Sequence, residues 1–406
     1  MRLRTPLALA LVAGVALAAC GSDESSTDGT GTTDTSTDTS TDTSIDTSTD
    51  TSSAGSTAPE SPSGGSAVVA GEAFPDDRCA ANEAAGTIKY LTGFDFAATA
   101  SIVDVIVADA NGYYDAMCLD VEIRPSFSTA NYPLVAENDA QFASGGSFSE
   151  VVAFAAANDT NFVVTAVEGP TAIDSLILKP GVAAELGDLA GSTIGVKGKL
   201  PPSVAAMLAT AGLVENEDYE TVLLDGFDPT AHIAIESIDG FPGYKSNEPG
   251  ALERAGIPFD LFDPLEYDIP GSFGVIYGNA DFIAEHPTAA EDFMRATMLG
   301  LADAIADPEA AANAAVELIN SGGNPNFLSP EGEVFRWSTD AALISELTPA
   351  GTGYGVADAA ALQNELDTYG EVGLFGDAET PTAADYLSNI LDGVYDADAT
   401  VIWPAG

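Results

Sequence analysis

Short apolar runs alternate along the chain with segments of helical periodicity. The run at residues 87–94 predicts a buried strand, the periodic segment after it predicts a helix ending at Gly112, and residues 118–126 predict the next strand. The alternation continues to a long apolar strand at residues 272–283, and from His286 onward the pattern is mostly helical. This predicts an α/β protein with mostly parallel sheets, whose ligands bind where strand ends lead into helix amino termini.

The amino terminus carries a different pattern. Arg2 and Arg4 precede the apolar run "PLALALVAGVALAA", which is too short and too weakly flanked to span a membrane. The run ends in "LAAC", and small residues followed by cysteine are typical of a bacterial lipobox, in which Cys20 would be acylated. We therefore expect residues 1–20 to be a lipoprotein signal peptide. The alternative is an ordinary signal peptide in which the cysteine is incidental.

Residues 21–70 form a tract rich in serine, threonine and aspartate, in which aspartate recurs every fourth residue from Asp34 to Asp50. The tract has almost no apolar side chain to bury, so it cannot offset the entropy cost of ordering. We expect a disordered, self-repelling tether that holds a folded domain away from the membrane. Together with an acylated Cys20, it predicts a protein anchored by lipid on the extracytoplasmic face of the cell membrane.

The chain is strongly acidic, with 63 Asp and Glu residues against 12 Lys and Arg residues and a formal net charge of −51. This charge argues against nucleic acid and anionic membrane surfaces as partners, because both are themselves negative. We attribute the acidity to solubility rather than to chemistry. It makes each remaining cation more informative about function.

The cysteines and histidines indicate a disulfide and no metal site. With Cys20 assigned to the lipid, Cys79 and Cys118 remain as an even pair in an oxidising compartment. We predict that they form a disulfide between the start of the domain and its first β-α-β unit; two free, buried thiols are the alternative. His232 and His286 are isolated and no Cys/His cluster has metal-ligand spacing, so we expect neither a metal nor a cofactor.

Several segments together resemble one known family. The type II solute-binding proteins of ABC importers contain, in the same order, segments similar to "ANGYYDAMCLDVEIRP", "FASGG", "LGDLAGSTIGVKG", "HIAIESIDGFPGYKSNEPGALERAG" and "FGVIYGNADFIAEHPTAAEDFMRATMLGLADAIADPEAA". The branch concerned binds thiamine pyrimidine precursors, riboflavin, nitrate, taurine or aliphatic sulfonates. The resemblance runs from residue 87 to the carboxyl end, and it specifies the family more closely than the ligand.

The resemblance implies a type II, periplasmic-binding-protein-like α/β fold of two lobes joined by two crossings. It places residues 86–188 and 270–406 in one lobe and residues 189–269 in the other. Hinge closure would trap a small-molecule ligand between the lobes, and we expect a monomer that delivers it to the permease and ATPase subunits of an ABC importer. One position departs from the family, which usually has glycine where Cys118 stands, in a turn that favours positive φ.

Residues 239–256 read as an aromatic-rich loop, punctuated by glycine and proline, that leads into a short amphipathic helix, and this loop is the first candidate wall of the ligand site. Phe241 and Tyr244 would supply stacking faces, and Asn247 and Glu248 would hydrogen-bond ring nitrogens or amino groups of a heteroaromatic ligand. The structural alternative is that Phe241 packs in the core, Asn247 caps the next helix and Glu248 complements its dipole.

Lysines in two predicted loops form a second candidate group. Lys197 and Lys199 lie in "GVKGKLPPS" before a helix amino terminus, and Lys245 lies in the facing loop. Such a set suits an anionic group, which would favour nitrate, sulfonate or phosphate ligands. The alternative is that these are solvated loop lysines.

Three further loops at strand ends complete the candidate site. The loop after the first strand touches ligand in the family, "ASGGS" offers hydroxyls, backbone N–H groups and close approach, and "VEGP" offers a carboxylate. The candidates from these loops are Phe94, Asp95, Phe96, Ser144, Gly145, Ser147 and Glu168.

These features predict a solute-binding lipoprotein that captures a thiamine pyrimidine precursor or a riboflavin-like metabolite. The alternative is a nitrate-, sulfonate- or taurine-binding protein of the same family. Fungal pyrimidine-synthesis enzymes resemble this fold but consume their own histidine and depend on iron. This chain has no cysteine-rich metal motif, no G-x-S-x-G elbow and no histidine in the predicted cleft loops, so we predict no enzymatic activity. A surface receptor or adhesin is a further alternative that the tether would suit.

Overall fold

A computed structural model describes residues 65–226, 228–324 and 329–405. Cys20, the predicted signal peptide and residues 21–64 of the predicted tether lie outside the described residues. Two five-stranded sheets flanked by helices make up the described chain, which confirms the α/β class. Within that part of the chain, no helix is long and apolar enough to cross a membrane.

The described residues contain ten strands, numbered in chain order. They are β1 (Thr87–Leu91), β2 (Asp120–Arg124), β3 (Phe142–Gly145), β4 (Phe162–Gly169), β5 (Asp174–Leu178), β6 (Thr193–Val196), β7 (Glu220–Leu223), β8 (Gly240–Tyr244), β9 (Asp260–Phe262) and β10 (Phe273–Asn279).

Thirteen α-helices occur in the same residues. They are α1 (Asp76–Ala84), α2 (Val103–Ala110), α3 (Tyr113–Ala116), α4 (Ser128–Ala136), α5 (Phe148–Asn158), α6 (Pro202–Thr210), α7 (Pro229–Ile233), α8 (Glu248–Ala255), α9 (Ala280–Glu285), α10 (Pro287–Ala306), α11 (Pro308–Gly322), α12 (Pro330–Leu347) and α13 (Ala359–Glu371). Short 3₁₀ turns occur at Leu186–Leu189, Pro264–Tyr267, Ala383–Tyr386 and Ile390–Gly393.

The two sheets share one design. The strand order is β2-β1-β3-β10-β4 in the first sheet and β7-β6-β8-β5-β9 in the second. Four strands of each sheet run in one direction, whereas β10 and β5 are antiparallel to both of their neighbours. Each antiparallel strand is the first that the chain enters after crossing between sheets. Its amino end therefore lies at the edge where the other four strands have their carboxyl ends.

Two crossings of the chain define two lobes. The chain leaves the first sheet at Gly169 and returns to it at Phe273. We call the described parts of residues 65–169 and 273–405 lobe 1, and those of residues 174–262 lobe 2. Each lobe has one sheet with its own buried apolar clusters.

The structure corrects the predicted boundary between the lobes at residue 188. Strand β5 pairs with β8 and β9 of the second sheet, so the first crossing lies between Gly169 and Asp174. The alternating sequence pattern could not show this, because β5 looks like one more strand of the preceding series. The two crossings touch each other, since a Cβ added at Gly271 would meet the backbone of Ala172.

The structure also moves the start of the folded domain into the predicted tether. Ser66 donates hydrogen bonds from its backbone N–H and its hydroxyl to Oδ2 of Asp77, at 2.8 and 2.9 Å. Val68 is buried, and the N–H of Gly71 donates to the carbonyl of Trp403. These contacts attach the chain to lobe 1 before the predicted start at residue 86.

The core of lobe 1 is built on both faces of its sheet. Because side chains alternate along a strand, Ile276 of β10 enters the cluster that includes α2 and α10, whereas Val275 and Tyr277 enter the cluster that includes α5 and α13. Helix α10 is buried along most of its length. Its Phe293 stacks on Phe142 of β3, with ring centroids 4.6 Å apart. This packing fixes the strands whose ends form the candidate site.

A fully buried ion network joins the start of the domain to α10. The guanidinium of Arg78 donates to Glu291 at 2.9 Å and to both oxygens of Asp292 at 2.8 and 2.9 Å. Arg295 donates to the same two carboxylates, at 2.7 and 3.3 Å. Arg78 is 0% exposed, and its buried charge is compensated by these two carboxylates, while the carbonyl of Ser66 accepts a further hydrogen bond at 3.2 Å.

A disulfide reinforces the same region. Cys79 of α1 is joined to Cys118, with a Cα–Cα distance of 5.2 Å. Cys118 has φ of 56°, in the left-handed region that favours glycine. The bond is the one predicted from the sequence, and it holds a non-glycine residue in this left-handed turn.

Candidate ligand-binding cleft

A cleft of about 710 Å³ lies between the lobes and is lined by residues of both. This volume is within the usual range for small-molecule sites, roughly 300–1,000 Å³. The cleft forms where the strand ends of both sheets meet and where α5, α6 and α8 begin. Loops at this edge can bring side chains, backbone N–H groups and helix amino termini to one ligand.

Aromatic side chains of both lobes line the cleft. Phe94 comes from the loop after β1 in lobe 1 and packs edge-on against Phe127, with ring centroids 5.6 Å apart. Tyr244 ends β8 in lobe 2, and 47% of it is exposed. Tyr369 of α13 also lines the cleft and donates its hydroxyl hydrogen to the carbonyl of Pro270. A flat apolar ligand would therefore find aromatic surface on both sides.

The β3–α5 loop brings a cap and a carboxylate to the cleft. Ser147 caps α5 by accepting the N–H of Glu150 at 3.2 Å, and Glu150 Oε2 accepts the N–H of Ser147 at 3.4 Å. A Cβ at Gly146 would clash with that carboxylate, so glycine is needed for the close approach. Of the predicted residues in this loop, Ser147 lines the cleft, whereas Ser144 and Gly145 line a smaller adjoining pocket of about 80 Å³.

The β8–α8 turn forms the facing wall. Glu248 accepts the N–H of Tyr244 at 2.8 Å with one carboxylate oxygen, and its other oxygen lies 3.4 Å from the ammonium of Lys197. Asn247 makes no side-chain cap to α8. Its Oδ1 instead accepts a hydrogen bond from Arg336 of lobe 1 at 2.7 Å, so it links the two lobes.

Part of this wall was predicted to be a loop, but Gly240–Tyr244 forms strand β8. It pairs with β5 along its whole length, from Leu178 opposite Gly240 to Asp174 opposite Tyr244. Its pairing with β6 is limited to Gly240, so Pro242 can sit in the strand without breaking a ladder on that side.

Arg336 is a cleft residue that the sequence analysis missed. It lies on α12, and its guanidinium donates to both oxygens of Glu333 at 2.6 and 2.7 Å. Glu333 is itself fixed by the N–H of Ala98, at 2.7 Å. No local signal marks this pair, because it lies inside a helix far along the chain from every other wall of the cleft.

Asp174 was also missed, and it lies deep in the cleft. It is the first residue of β5 and stands directly opposite Tyr244, with both side chains on the same face of the sheet. The hydroxyl of Ser203 donates to it at 3.3 Å. Burial, together with the negative charge of Glu150, raises the pKa of Asp174 to about 7. Loss of hydration between the cleft walls raises the pKa of Glu150, although the hydrogen bond from the Ser147 N–H and the charge of Lys199 oppose this shift.

Besides Ser144 and Gly145, four further predicted site residues lie outside the cleft lining. Phe241 is 1% exposed and packs edge-on against His232, with centroids 5.6 Å apart. Phe96 is buried in the core of lobe 1. Asp95 accepts the N–H of Asn324 at 2.6 Å, at the end of α11. These three side chains have structural roles in their lobes.

Glu168 is the fourth of these residues, and it lies behind the cleft floor. It accepts the N–H of Ser101 at 3.0 Å, and its carboxyl neighbours that of Asp104. Burial and the neighbouring carboxyl raise the pKa of Glu168 well above its usual range, which favours a shared proton between the two acids.

The predicted lysines divide between the cleft lining and a mostly buried ion pair outside it. Lys197 and Lys199 line the cleft, as expected for inward-facing lysines. Lys245 does not, because its ammonium donates to Asp263 at 2.8 Å. Within residues 65–226, 228–324 and 329–405, no group of three or more His, Cys, Asp or Glu side chains is arranged to hold a metal ion.

Solved structures share this fold at low sequence identity. The alkanesulfonate-binding protein SsuA of Xanthomonas axonopodis pv. citri, bound to MOPS, superposes with a TM-score of 0.54 at 13% identity, covering 74% of this chain and 98% of its own. The aliphatic sulphonate binding protein SsuA of Escherichia coli gives 0.55 at 10% identity, covering 75% and 92%. These likenesses show that the chain has the periplasmic-binding-protein fold.

Sequence comparisons place the chain more closely. It is 27% identical over 256 residues to the riboflavin-binding protein RibY of Chloroflexus aurantiacus, a match that covers 60% of this chain and 67% of the relative. The family model described as NMT1/THI5 like matches residues 99–311, which is more than half of the chain. The protein therefore belongs to the NMT1/THI5-like family.

Proposed function

We propose that this protein is an extracytoplasmic solute-binding protein that captures a small heteroaromatic metabolite, a thiamine pyrimidine precursor or a riboflavin-like compound. The observation that carries the proposal is the pair of aromatic walls: Phe94 of lobe 1 and Tyr244 of lobe 2 line the same ligand-sized cleft. Stacking between aromatic surfaces on two mobile lobes would couple ligand capture to closure.

The arrangement of the lobes supports capture by closure. The lobes are joined by two short crossings that touch at Ala172 and Gly271. Away from these crossings, the contact between Arg336 and Asn247 connects the lobes directly at the cleft. A ligand that bridges the same walls would favour the closed state by its differential affinity for it.

Ligand size and similarity point to the flavin-like part of the proposal. A cleft of about 710 Å³ accommodates more than a single six-membered ring. The relative RibY is named as a riboflavin-binding protein. We therefore propose a flavin-like ligand first and a pyrimidine second.

The second candidate function is binding of a sulfonate, taurine or nitrate. Lys197 and Lys199 in the cleft favour it, and two solved structures of the same fold are named as sulfonate-binding proteins. We propose no enzymatic activity, because the relative RibY and the two SsuA structures are named as binding proteins. A surface receptor that works without a transporter would bind its ligand but would release none of it to a permease.

We further propose that acylation of Cys20 anchors the protein to the cell membrane, where it serves the permease and ATPase subunits of an ABC importer as a monomer. The basis is the lipobox-like "LAAC" and the acidic tract after it. Expression of the full chain with a labelled fatty acid tests the anchor. Label should enter the wild type and be absent from Cys20→Ala.

The function itself is tested by a thermal-shift screen of the mature chain. Riboflavin, lumichrome and aminopyrimidines are compared with taurine, MOPS and nitrate, because a ligand that binds only the folded state raises the melting temperature. A rise with a flavin or pyrimidine, followed by one-to-one binding in calorimetry, is the expected result. A rise with taurine, MOPS or nitrate alone would support the second candidate function instead.

A further inference from the structure

Three helices begin at the cleft, and each has an acidic side chain at its amino end. The helices are α5, α6 and α8, with Glu150, Asp174 and Glu248 beside their first turns. Helix amino termini ordinarily attract anions, because their free N–H groups and the helix dipole favour negative charge. In this cleft, the protein's own carboxylates occupy the places that a phosphate or sulfonate group would take.

At α5 the competition is direct. Glu150 folds back so that its carboxylate accepts the N–H of Ser147, at 3.4 Å, and covers Gly146. An anion approaching this terminus would have to displace that carboxylate or lie beside it. Like charges held together in this way cost several kcal/mol at an interface.

At α8 and α6 a carboxylate also stands beside the helix end. Glu248 is the first residue of α8, and it takes the N–H of Tyr244 and the ammonium of Lys197. Helix α6 starts with Pro202, which has no N–H to offer. The next residue, Ser203, donates its hydroxyl hydrogen to Asp174 in the cleft.

The cations that line the cleft are each opposed by a carboxylate. Lys197 faces Glu248 at 3.4 Å, and the charge of Lys199 acts on Glu150. Arg336 is held by both oxygens of Glu333. The three cations therefore face four carboxylates once Asp174 is included, in a chain whose net charge is −51. The potential that an entering anion meets is unfavourable both in the cleft and around it.

We infer that this cleft selects the unphosphorylated form of its ligand, with Asp174 and Glu150 accepting hydrogen bonds from ligand hydroxyl or amino groups and excluding phosphate and sulfonate groups. The inference rests on the proposed function, because it names which form of a heteroaromatic metabolite is bound. Asp174 is half-buried beside Tyr244, where a ring stacked on Tyr244 would bring its substituents to the carboxylate. Glu150 reaches the open space of the cleft from the opposite lobe.

The test compares ligands that differ by a phosphate group. Calorimetry on the mature chain measures riboflavin against flavin mononucleotide, and a hydroxymethyl aminopyrimidine against its phosphate monoester. The unphosphorylated member of the pair that binds should be preferred by at least about 30-fold. Asp174→Asn and Glu150→Gln, singly and together, should weaken binding of the unphosphorylated ligand and bring the ratio to within about threefold of unity. Glu236→Gln, an exposed acid of lobe 2 outside the cleft, is the matched control and should leave the ratio unchanged.

The outcomes separate this inference from the function on which it rests. Thermal unfolding of each variant is measured first, and Asp174→Asn should fold because it removes a charge whose burial is unfavourable. If a flavin or pyrimidine binds but its phosphate ester binds equally well, the inference alone is overturned. The same holds if the double variant keeps the wild-type ratio. If neither unphosphorylated compound binds while MOPS or taurine does, the proposed function and the inference are both overturned.

Discussion

Two clusters of charged side chains in this molecule use the same residue types to different ends. Around Arg78, two guanidinium groups and two carboxylates are almost completely buried and hydrogen-bond one another at 2.7–3.3 Å. In the cleft, Glu150, Asp174 and Glu248 are only partly matched by cations, and the pKa of Asp174 is raised to about 7 by burial and by its acidic neighbour. The first cluster pairs each of its charges with an opposite charge inside the chain, whereas the second lies in a ligand-sized cleft where a ligand can reach its carboxylates.

The difference teaches where to look for function in an acidic protein. A buried charge whose hydrogen bonds are complete can be explained by the fold alone. A carboxylate in a ligand-sized cleft is different, because holding it near other carboxylates costs free energy. Such a carboxylate is a candidate for a role in function. Mutations in the first cluster should therefore change stability and spare binding, and mutations in the second should do the reverse.

Breaking the buried network should give the largest effect. Arg78→Met removes the cation that donates to both carboxylate oxygens of Asp292. Arg295 is then left as the main charged partner of Asp292. We expect a loss of about 3–5 kcal/mol in the free energy of unfolding, measured by chemical denaturation, because one partner of a buried pair is left uncompensated.

The control for Arg78 is Arg124→Met. Arg124 forms its ion pair with Glu122 on the surface, where its side chain is 49% exposed, so its removal should leave the denaturation midpoint unchanged. Equal stability of the Arg78 and Arg124 variants would contradict the structural role of the buried network.

Removing the disulfide should give the next largest effect in the same region. Replacing Cys79 and Cys118 together by alanine opens a link between residues 39 positions apart in the chain. We expect a loss of about 2–4 kcal/mol in the free energy of unfolding. Affinity for the ligand, measured by calorimetry below the new melting temperature, should stay within a factor of two. A large loss of affinity in a folded variant would mean that this region and the cleft are coupled.

The contrast also explains how far the sequence could predict the molecule. Local patterns and the order of the segments were enough to predict three features. These are the α/β class, the pairing of Cys79 with Cys118, and the meeting of the Lys197 and Tyr244 segments. Phe241 was misplaced because its segment was predicted as a loop. In strand β8 residues three positions apart face opposite sides, so Phe241 enters the core when Tyr244 faces the cleft.

The missed cleft residues depended on information that periodicity does not contain. Ligand sites are expected at the carboxyl ends of strands, but Asp174 lies at the amino end of a strand that runs antiparallel to its neighbours. Strand direction is a tertiary property. Arg336 reaches the cleft only because α12 packs across both lobes, which no local pattern in its helix indicates.

Tyr244→Ala should have the opposite effect to Arg78→Met: it should weaken ligand binding and leave the free energy of unfolding nearly unchanged. Tyr244 is half-exposed in the cleft, so its truncation removes little folding energy. It should weaken binding by about 1–3 kcal/mol through lost stacking and burial of the ligand. Tyr386→Ala is the matched control, because Tyr386 is a partly buried tyrosine of lobe 1 that does not line the cleft. Unchanged calorimetric affinity in Tyr244→Ala would remove Tyr244 from the site.

The smallest expected effect is a proton linked to Asp174. Its carboxyl faces Glu150, Glu248, Lys245 and the hydroxyl of Ser203. Because its pKa in the folded chain, about 7, lies above the ordinary value of 3.8, the folded state binds more protons than the unfolded chain between these values. The stability that this protonation contributes is complete below about pH 4 and is lost as the pH rises through about 7.

Ligand binding should shift this proton in the opposite sense. A ligand that donates a hydrogen bond to Asp174 favours the carboxylate, so binding releases a proton and should be about three- to tenfold tighter at pH 8 than at pH 5. Calorimetry in buffers of different ionisation enthalpy measures the released proton directly. Asp174→Asn should abolish most of this pH dependence. The dependence that remains would come from Glu150, whose pKa is also raised. If Asp174→Asn leaves the pH profile of binding unaltered, the ligand does not donate a hydrogen bond to Asp174. The buried charge of Asp174 would then be explained by the fold alone.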